Sequence, residues 1–297
     1  MSRMNIENFK CCLCGSDSYT VRPGHARDNA ALVPLECTSC GLVRLSSFSH
    51  IDAHFYEDSH MRDGTPCDPK IMQTVGDENN VRRFHDFYPL FAGKSLLDFG
   101  CGDGGFLALA KTKADIVLGL EPDKGWIDVH KNMGIPVVRH LADIPDDSRF
   151  DVVTMFHVLE HLSNPLEIIR NILKYLKINT VGGGGILLVE VPSASDALLT
   201  LYENAPFSQF TYWSPHLFLY TPGTLQMLMS KAGCNTVDMR QFQRYPLANH
   251  LYWLARGKPG GQLAWSQLSN PVLSQCYADA LAAMGKCDTI IGIFAPE

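Results

Sequence analysis

Residues 94–105 read KSLLDFGCGDGG, and they restrict the fold more than any other stretch of the chain. A short apolar run, Ser95-Leu96-Leu97, ends in an acid, Asp98. A turn rich in glycine follows, with Gly100, Gly102, Gly104 and Gly105. Phe106 to Ala110 is then an apolar segment of helical character. A strand, a tight turn and a helix in this order build a ligand site. Glycine lets the backbone come close to a ligand, and the first turn of the helix offers unpaired N–H groups.

Two ligand patterns overlap on these residues. Gly100, Gly102 and Gly105 satisfy G-x-G-x-x-G, the dinucleotide fingerprint. Asp98, Gly100 and Gly102 satisfy D-x-G-x-G, the signature for S-adenosylmethionine. Asp98 discriminates between them. A carboxylate beside the first glycine repels a pyrophosphate, whereas the methionine end of S-adenosylmethionine carries an ammonium that needs a nearby negative charge. A second acid, Glu121, closes the next apolar run, Val117-Leu118-Gly119-Leu120. It stands about 20 residues on, where an acid grips ribose hydroxyls. The cofactor residues read from these two segments are Asp98, Gly100, Cys101, Gly102, Glu121 and Pro122. A nicotinamide oxidoreductase is the rival at this point.

With 297 residues, the chain suits one large domain with an appendage, or two domains. Net charge is −6, and the longest basic run is Val81-Arg82-Arg83, which argues against nucleic acid as a partner. No apolar run is long enough for a membrane span, and the N-terminal MSRMNIENFK lacks the apolar core of a signal peptide. A cytoplasmic location is therefore expected. The ten cysteines are then expected to be reduced thiols, packed or bound to metal.

Four of them form a pattern. Cys11-Cys12-Leu13-Cys14-Gly15 and Cys37-Thr38-Ser39-Cys40-Gly41 are two C-x-x-C-G knuckles. Each sets two thiolates on a tight turn, and four thiolates complete a closed tetrahedral zinc site. Cys11, Cys14, Cys37 and Cys40 are the expected ligands, with Cys12 a bystander. Four cysteines leave no open coordination position, so the zinc is read as structural. Residues 1–46 are too few to build a sufficient core alone, and metal binding would supply folding energy there.

Residues 47–93 are read as a linker and helical lid. Tyr56 and His60 are candidate contacts to cofactor or substrate, 64–69 hold chain breakers, and Gly76 to Leu90 is expected to be a helix with Val81, Phe84, Phe87, Tyr88 and Phe91 on its apolar stripe. From residue 94 to 297, strands and helices alternate. Expected strands are 115–121, 136–139, 150–156 and 186–191, with a last one at 288–294 returning antiparallel. Expected helices are 123–133, one capped by Asn164 with Pro165 at its first position, and one opening at Thr221-Pro222 and closed by Gly233. Such alternation gives an α/β fold with a doubly wound, mostly parallel sheet, here of seven strands, plus the small zinc ribbon. Ligands sit at the carboxyl ends of the strands in such sheets, where Asp98, Glu121, Asp143 and His157 fall.

These motifs resemble the class I S-adenosylmethionine-dependent methyltransferases over about residues 80–295. They are LLDFGCGDGG, LGLEPD, FDVVTMFHVLEHL, GGGGILLVEVPS and SPHLFLYTPGTLQMLMSKAG. The resemblance implies that Asp143 edges the adenine and that Phe156 and His157 line the methionine and substrate side. The VLEHL segment resembles methyltransferases of quinones and sugars, and the cysteine module resembles zinc-bearing sugar C-methyltransferases. In those, the Glu-His pair moves protons, which here gives Glu160 and His161. The departure is a shorter C-terminal part, with a helical stretch from Leu247 to Met284 in its place.

Methyl transfer needs a base of near-neutral pKa for the acceptor's proton, and His157, His161 and His216 are the candidates. His216 lies in Tyr212-Trp213-Ser214-Pro215-His216, after the fifth strand, where acceptors bind. Tyr212 and Trp213 suit either an acceptor wall or the core. Residues 242–287 read as an insert between the last two strands, covering the acceptor site or forming a homodimer contact. Arg244 and Lys258 within it are candidates for an anionic acceptor such as a nucleotide diphosphate. The reading that results is a zinc-stabilised methyltransferase of a small molecule, a nucleotide-linked sugar or a secondary metabolite. Its rivals are an RNA base methyltransferase with a zinc ribbon and a non-catalytic protein that binds S-adenosylmethionine.

Overall fold

The computed structural model describes residues 9–52, 54–57, 69–178 and 183–297, with the backbone alone for 69–77. His60 and the breakers at 64–68 lie outside the described residues. Seven strands form the central sheet. In chain order they are β4 (Ser95–Phe99), β5 (Ile116–Leu120), β6 (Val137–Val138), β7 (Val152–Phe156), β8 (Ile186–Pro192), β10 (Cys234–Phe242) and β11 (Thr289–Pro296). Their spatial order is β10-β11-β8-β7-β4-β5-β6. The five strands from β8 to β6 run parallel, and β11 runs antiparallel to both β8 and β10.

Side-chain burial explains the strand sequences. Every residue of β4 and β7 is buried, so both read as mostly apolar rather than alternating, and the buried polar pair Asp98 and Thr154 bond each other. Helix α1 (Pro69–Phe91) and α2 (Gly105–Ala110) flank β4. Phe87 and Phe91 are buried, and their rings join Phe106 and Phe156 at centroid distances of 5.0–6.2 Å. The apolar stripe on α1 is narrower than its sequence suggests, because Val81 and Tyr88 face solvent. The later helices are α3 (Ile127–Met133), α4 (Pro165–Leu173), α5 (Ala197–Thr200), α6 (Ala205–Phe210), α7 (Pro222–Ala232), α8 (Leu247–Arg256), α9 (Gly261–Ala264) and α10 (Pro271–Ala283), and α4, α7 and α10 begin with proline. Thr221 caps α7 through the Thr224 N–H. Asn164 makes no such cap on α4; its amide instead donates to the Glu167 carboxylate.

The N-terminal segment is tied into this core. Its strands β1 (Tyr19–Val21), β2 (Pro34–Cys37) and β3 (Val43–Leu45) form an antiparallel sheet that β9 (Phe218–Leu219) completes, with Val43 opposite Leu219. The Leu45 N–H donates to the Leu217 carbonyl at 3.0 Å, and Arg22 Nη1 donates to the Ala194 carbonyl at 2.7 Å. Ribbon residues therefore hold the chain between β8 and α7, the stretch that carries His216.

Candidate active site

The carboxyl ends of β4, β5, β7 and β8 build one site. At the end of β4 the chain turns through Gly100 with φ +76°, and a Cβ there would meet Val158 Cγ2 at 2.5 Å. Gly102 has φ +55°, and a Cβ there would meet nothing within 4 Å. Its backbone thus lines open space, the cradle a ligand would need. Asp98 is buried beneath this turn and accepts a 2.7 Å hydrogen bond from Thr154 Oγ1. Burial raises its carboxyl to about 6, against the opposing pull of Thr154 and Arg83.

Glu121 closes the other side. Its Oε2 accepts from the Gly102 N–H and its Oε1 from the Asp123 N–H, both at 2.9 Å. His130 Nε2 donates to the Gly102 carbonyl at 2.7 Å, so both polar groups of that peptide are held from β5 and the segment after it. Cys101 is buried, and its Sγ would lie 2.6 Å from a Cβ on Gly119. The Pro122 carbonyl accepts from Arg139. Asp143 is exposed on a short turn, Leu141–Asp143, and its carboxylate accepts the His140 N–H at 3.0 Å.

Phe156 ends β7, and His157 follows with φ +56°, a strained conformation for a side-chain-bearing residue. The His157 N–H donates to the Glu190 carbonyl, and the ring stands between two buried carboxylates. Nδ1 lies 3.2 Å from Glu160 Oε1, and Nε2 lies 3.3 Å from Glu190 Oε1. Arg244, just past β10, points Nη1 at the same Nε2 from 3.2 Å. Glu190 is fully buried and takes Arg82 Nη2 at 2.6 Å and Arg83 Nη2 at 2.8 Å. Burial favours the acid form of Glu190, but its contacts with His157, Arg83 and Arg82 outweigh burial and hold it well below the ordinary carboxylate range. Arg83 also stacks over Phe156, 4.6 Å from the ring centroid.

Glu160, His161 and His216 converge, with one donor or acceptor atom of each within 4.8 Å of the others. Glu160 is fully buried, and its Oε2 has no hydrogen-bond partner among the described residues. Burial alone would raise it, but the bond from His157 outweighs this and brings it to about 2. His161 Nδ1 donates to the Pro215 carbonyl at 2.9 Å, which leaves Nε2 as the acceptor nitrogen. Burial lowers His161, and it lowers His216 to about 3. The two rings meet edge to face at 4.8 Å, and Tyr56 donates to the His161 carbonyl at 2.9 Å. Tyr212 is buried core, whereas Trp213 stacks under the Arg27 guanidinium at 4.8 Å. Asp28 accepts the Ser214 N–H at 3.0 Å and its hydroxyl at 2.6 Å, and His50 Nε2 donates to the Ser214 carbonyl. Lys258 is exposed on the insert.

Glu190, Arg82 and Arg83 went unassigned from sequence. Their signal was the acid within Ile186–Pro192, ILLVEVP. A carboxylate in an otherwise apolar, buried strand needs a cation, and Arg82-Arg83 is the basic pair within reach.

Outside this site, the four knuckle thiols cluster within 4.8 Å of one another. Cys11 and Cys40 Sγ are 3.5 Å apart, as are Cys14 and Cys37 Sγ. That is far beyond the ~2.0 Å of a disulfide and near the ~3.8 Å edge of a tetrahedron with 2.3 Å metal–sulfur bonds. The donor set and spacing fit a tetrahedral zinc.

A family model described as a methyltransferase domain matches residues 76–239. The chain belongs to this methyltransferase family. Among curated proteins, it is 39% identical over 95 residues to a ubiquinone biosynthesis O-methyltransferase of Coxiella burnetii, a match spanning 29% of this chain and 40% of that protein. The corresponding Proteus mirabilis enzyme is 37% identical over 98 residues, spanning 29% of this chain and 38% of that protein. The methyltransferase chain thus spans about two fifths of the curated relatives it matches. A solved S-adenosylmethionine-dependent methyltransferase from Archaeoglobus fulgidus superposes with a TM-score of 0.52 at 19% identity, covering 77% of this chain and all of that one. The Rossmann-like methyltransferase fold with its seven-stranded sheet is therefore the fold of this family member.

Proposed function

We propose that the protein uses S-adenosylmethionine to methylate a small-molecule acceptor, at the carboxyl ends of β4, β5, β7 and β8. The observation that carries this reading is the open glycine cradle at Gly102 between two acids, Asp98 below and Glu121 opposite. Asp98 supplies negative charge for an ammonium, and Glu121 supplies acceptors for a ribose. Cys101 and Pro122 flank them, Asp143 stands near the adenine end, and Phe156 and His157 face the methionine and acceptor side. When bound, the cofactor supplies a methyl group already activated on a sulfonium.

The chain's own work is to align an acceptor atom and take its proton. Of the three histidines, His157 fits that task. It directly follows the central strand β7 and is partly exposed, whereas His161 is buried with Nδ1 committed to Pro215. Burial keeps His216 neutral near pH 7, which suits an acceptor wall. Glu160 orients His157 through Nδ1. Cys11, Cys14, Cys37 and Cys40 hold a structural zinc, through which the ribbon braces residues 212–217.

Calorimetry with S-adenosylmethionine and S-adenosylhomocysteine tests the reading. Binding of both, with slow release of the second from the first in the presence of acceptor mixtures, is the expected result. Binding without turnover favours a non-catalytic role, and no binding of either overturns the proposal.

A further inference from the structure

Three arginines surround His157, and two are held in ion pairs. Arg82 pairs with Glu190 and Asp86, and Arg83 pairs with Glu190. Among the described residues, the Arg244 guanidinium makes no ion pair. Its Nη1 lies 3.2 Å from His157 Nε2, and its carbon lies 5.7 Å from the Tyr245 ring centroid. Its backbone is fixed, because the Arg244 N–H bonds both oxygens of half-buried Asp288 at 3.1 Å. A pinned backbone thus carries a half-buried cation into the site with an imidazole nitrogen, and no carboxylate, within hydrogen-bond reach of its guanidinium among the described residues. An oxyanion is a far stronger partner for guanidinium than an imidazole, through charge and paired N–H groups.

Arg244 and Glu190 compete for the same nitrogen of His157. Arginine has donors only, so Nε2 accepts when it bonds Arg244, with the ring proton on Nδ1 toward Glu160, and donates when it bonds Glu190. Nε2 cannot accept from Arg244 and donate to Glu190 at once. With Arg244 in place, the lone pair needed for general-base work is covered.

We propose that the acceptor carries an oxyanion, a carboxylate or a phosphate, that Arg244 seats, and that seating it uncovers His157 Nε2 as the base. This rests on the methyltransferase reading above. The proton lost by the acceptor's nucleophile passes to Nε2. The nucleophile forms its bond to the methyl carbon as the carbon–sulfur bond breaks, and sulfur keeps the electron pair. The imidazolium then points one N–H at Glu160 and the other at Glu190, and later releases its proton to water. The charged and titratable groups around this ring are Glu160, Glu190 and Arg244 directly, Arg82 and Arg83 through Glu190, and His161 and His216 beyond Glu160. A neutral analogue of the acceptor would leave the base covered.

The test uses the full-length chain with 15N-labelled histidine, with and without S-adenosylhomocysteine. Inorganic phosphate and acetate are titrated separately at constant ionic strength, against chloride. The expected result is a saturable shift of the His157 Nε2 resonance, assigned by its loss in His157→Gln. The anion that gives it identifies the class. Arg244→Gln weakens that anion at least tenfold and leaves S-adenosylhomocysteine affinity within twofold, and Arg244→Lys restores part of the anion binding. An unchanged titration in Arg244→Gln, or no shift with either anion, overturns the inference. If S-adenosylhomocysteine fails to bind, the functional reading falls instead, and the cofactor-free titration still decides the role of Arg244.

Discussion

Thr154 Oγ1 donates to Asp98 Oδ1 at 2.7 Å, which links β7 to the acid at the end of β4 beneath the glycine turn. Asp98 has little else to stabilise its charge in the free protein, and burial raises it to about 6. An ammonium favours the ionised form. Affinity for S-adenosylhomocysteine should therefore be level above pH 6 and fall as pH drops through 6, by up to tenfold per unit. Asp98→Asn should bind weakly and lose this pH dependence, and Asp98→Ala should abolish binding with zinc content intact. Calorimetry between pH 5 and 8 checks both. The acid also affects stability with the opposite sign. Its folded value lies above its ordinary 3.8, so its contribution to stability declines as pH rises from about 4 to 6.

Glu190 carries the opposite case. Buried and held by Arg82, Arg83 and His157, it sits well below its ordinary 4.5. Its ionised form is stabilising above that value, and the contribution is lost as pH falls through the lower folded value. Glu190→Gln leaves two arginines facing a neutral amide. Removing one partner of a buried ion pair costs about 3–5 kcal/mol, and urea denaturation at pH 7 should show a loss of that order. A loss below about 1 kcal/mol would mean that solvent already screens the cluster.

How much of this was legible in sequence depends on the range of the interaction. The strand–turn–helix at residues 95–110, the acid at Glu121 and the two cysteine knuckles are local patterns, and the structure forms that strand and helix, sets Glu121 against the turn and gathers the four thiols. Strand ends moved by one or two residues, because pairing rather than apolarity sets them. The helix before β4 begins at Pro69, well ahead of Gly76. What stayed hidden was pairing across long stretches of chain. Arg82 meets Glu190, Arg244 meets His157 and Asp28 meets Ser214. Glu160 was paired with its neighbour His161 in sequence, but its hydrogen bond goes to His157, three residues back, where the short turn brings the side chains together. Ribbon and core read as consecutive units, yet β3 and β9 share a sheet.

Gly100 offers a sharper test of the turn. Its φ of +76° is a left-handed conformation, and a Cβ would press to 2.5 Å from Val158 Cγ2. Gly100→Ala should thus lose about 1–3 kcal/mol from backbone strain alone. Val158 lies just before the turn that carries Glu160 and His161, so the displacement should spread there. Gly102→Ala shares the φ penalty but meets open space. Both variants should be destabilised in thermal unfolding. Gly102→Ala should show the larger loss of cofactor affinity for its loss of stability, because its methyl group occupies the cradle. Equal ratios in the two variants would remove Gly102 from the ligand's path.

The cysteine cluster should act on the acceptor side and spare the cofactor side. Cys37 is a buried member of the four-thiol group, and its strand β2 is the neighbour of β3, which pairs with β9. Cys37→Ser removes one thiolate from a closed site, so zinc content should fall from about one per chain to a small fraction of that. Without the metal the ribbon loses much of its folding energy, and the hold of Asp28, His50 and Leu45 on residues 214–217 goes with it. The glycine cradle is built from the ends of β4 and β5, whereas the ribbon's hydrogen bonds to the core described above reach Ala194, Ser214 and Leu217. Thermal stability should fall by several degrees and protease cleavage should appear near Trp213, with S-adenosylhomocysteine affinity within about threefold of the parent. Metal analysis, limited proteolysis and calorimetry on one preparation make the comparison. Full zinc content in Cys37→Ser would shift the fourth ligand to Cys12, the remaining thiol of the first knuckle.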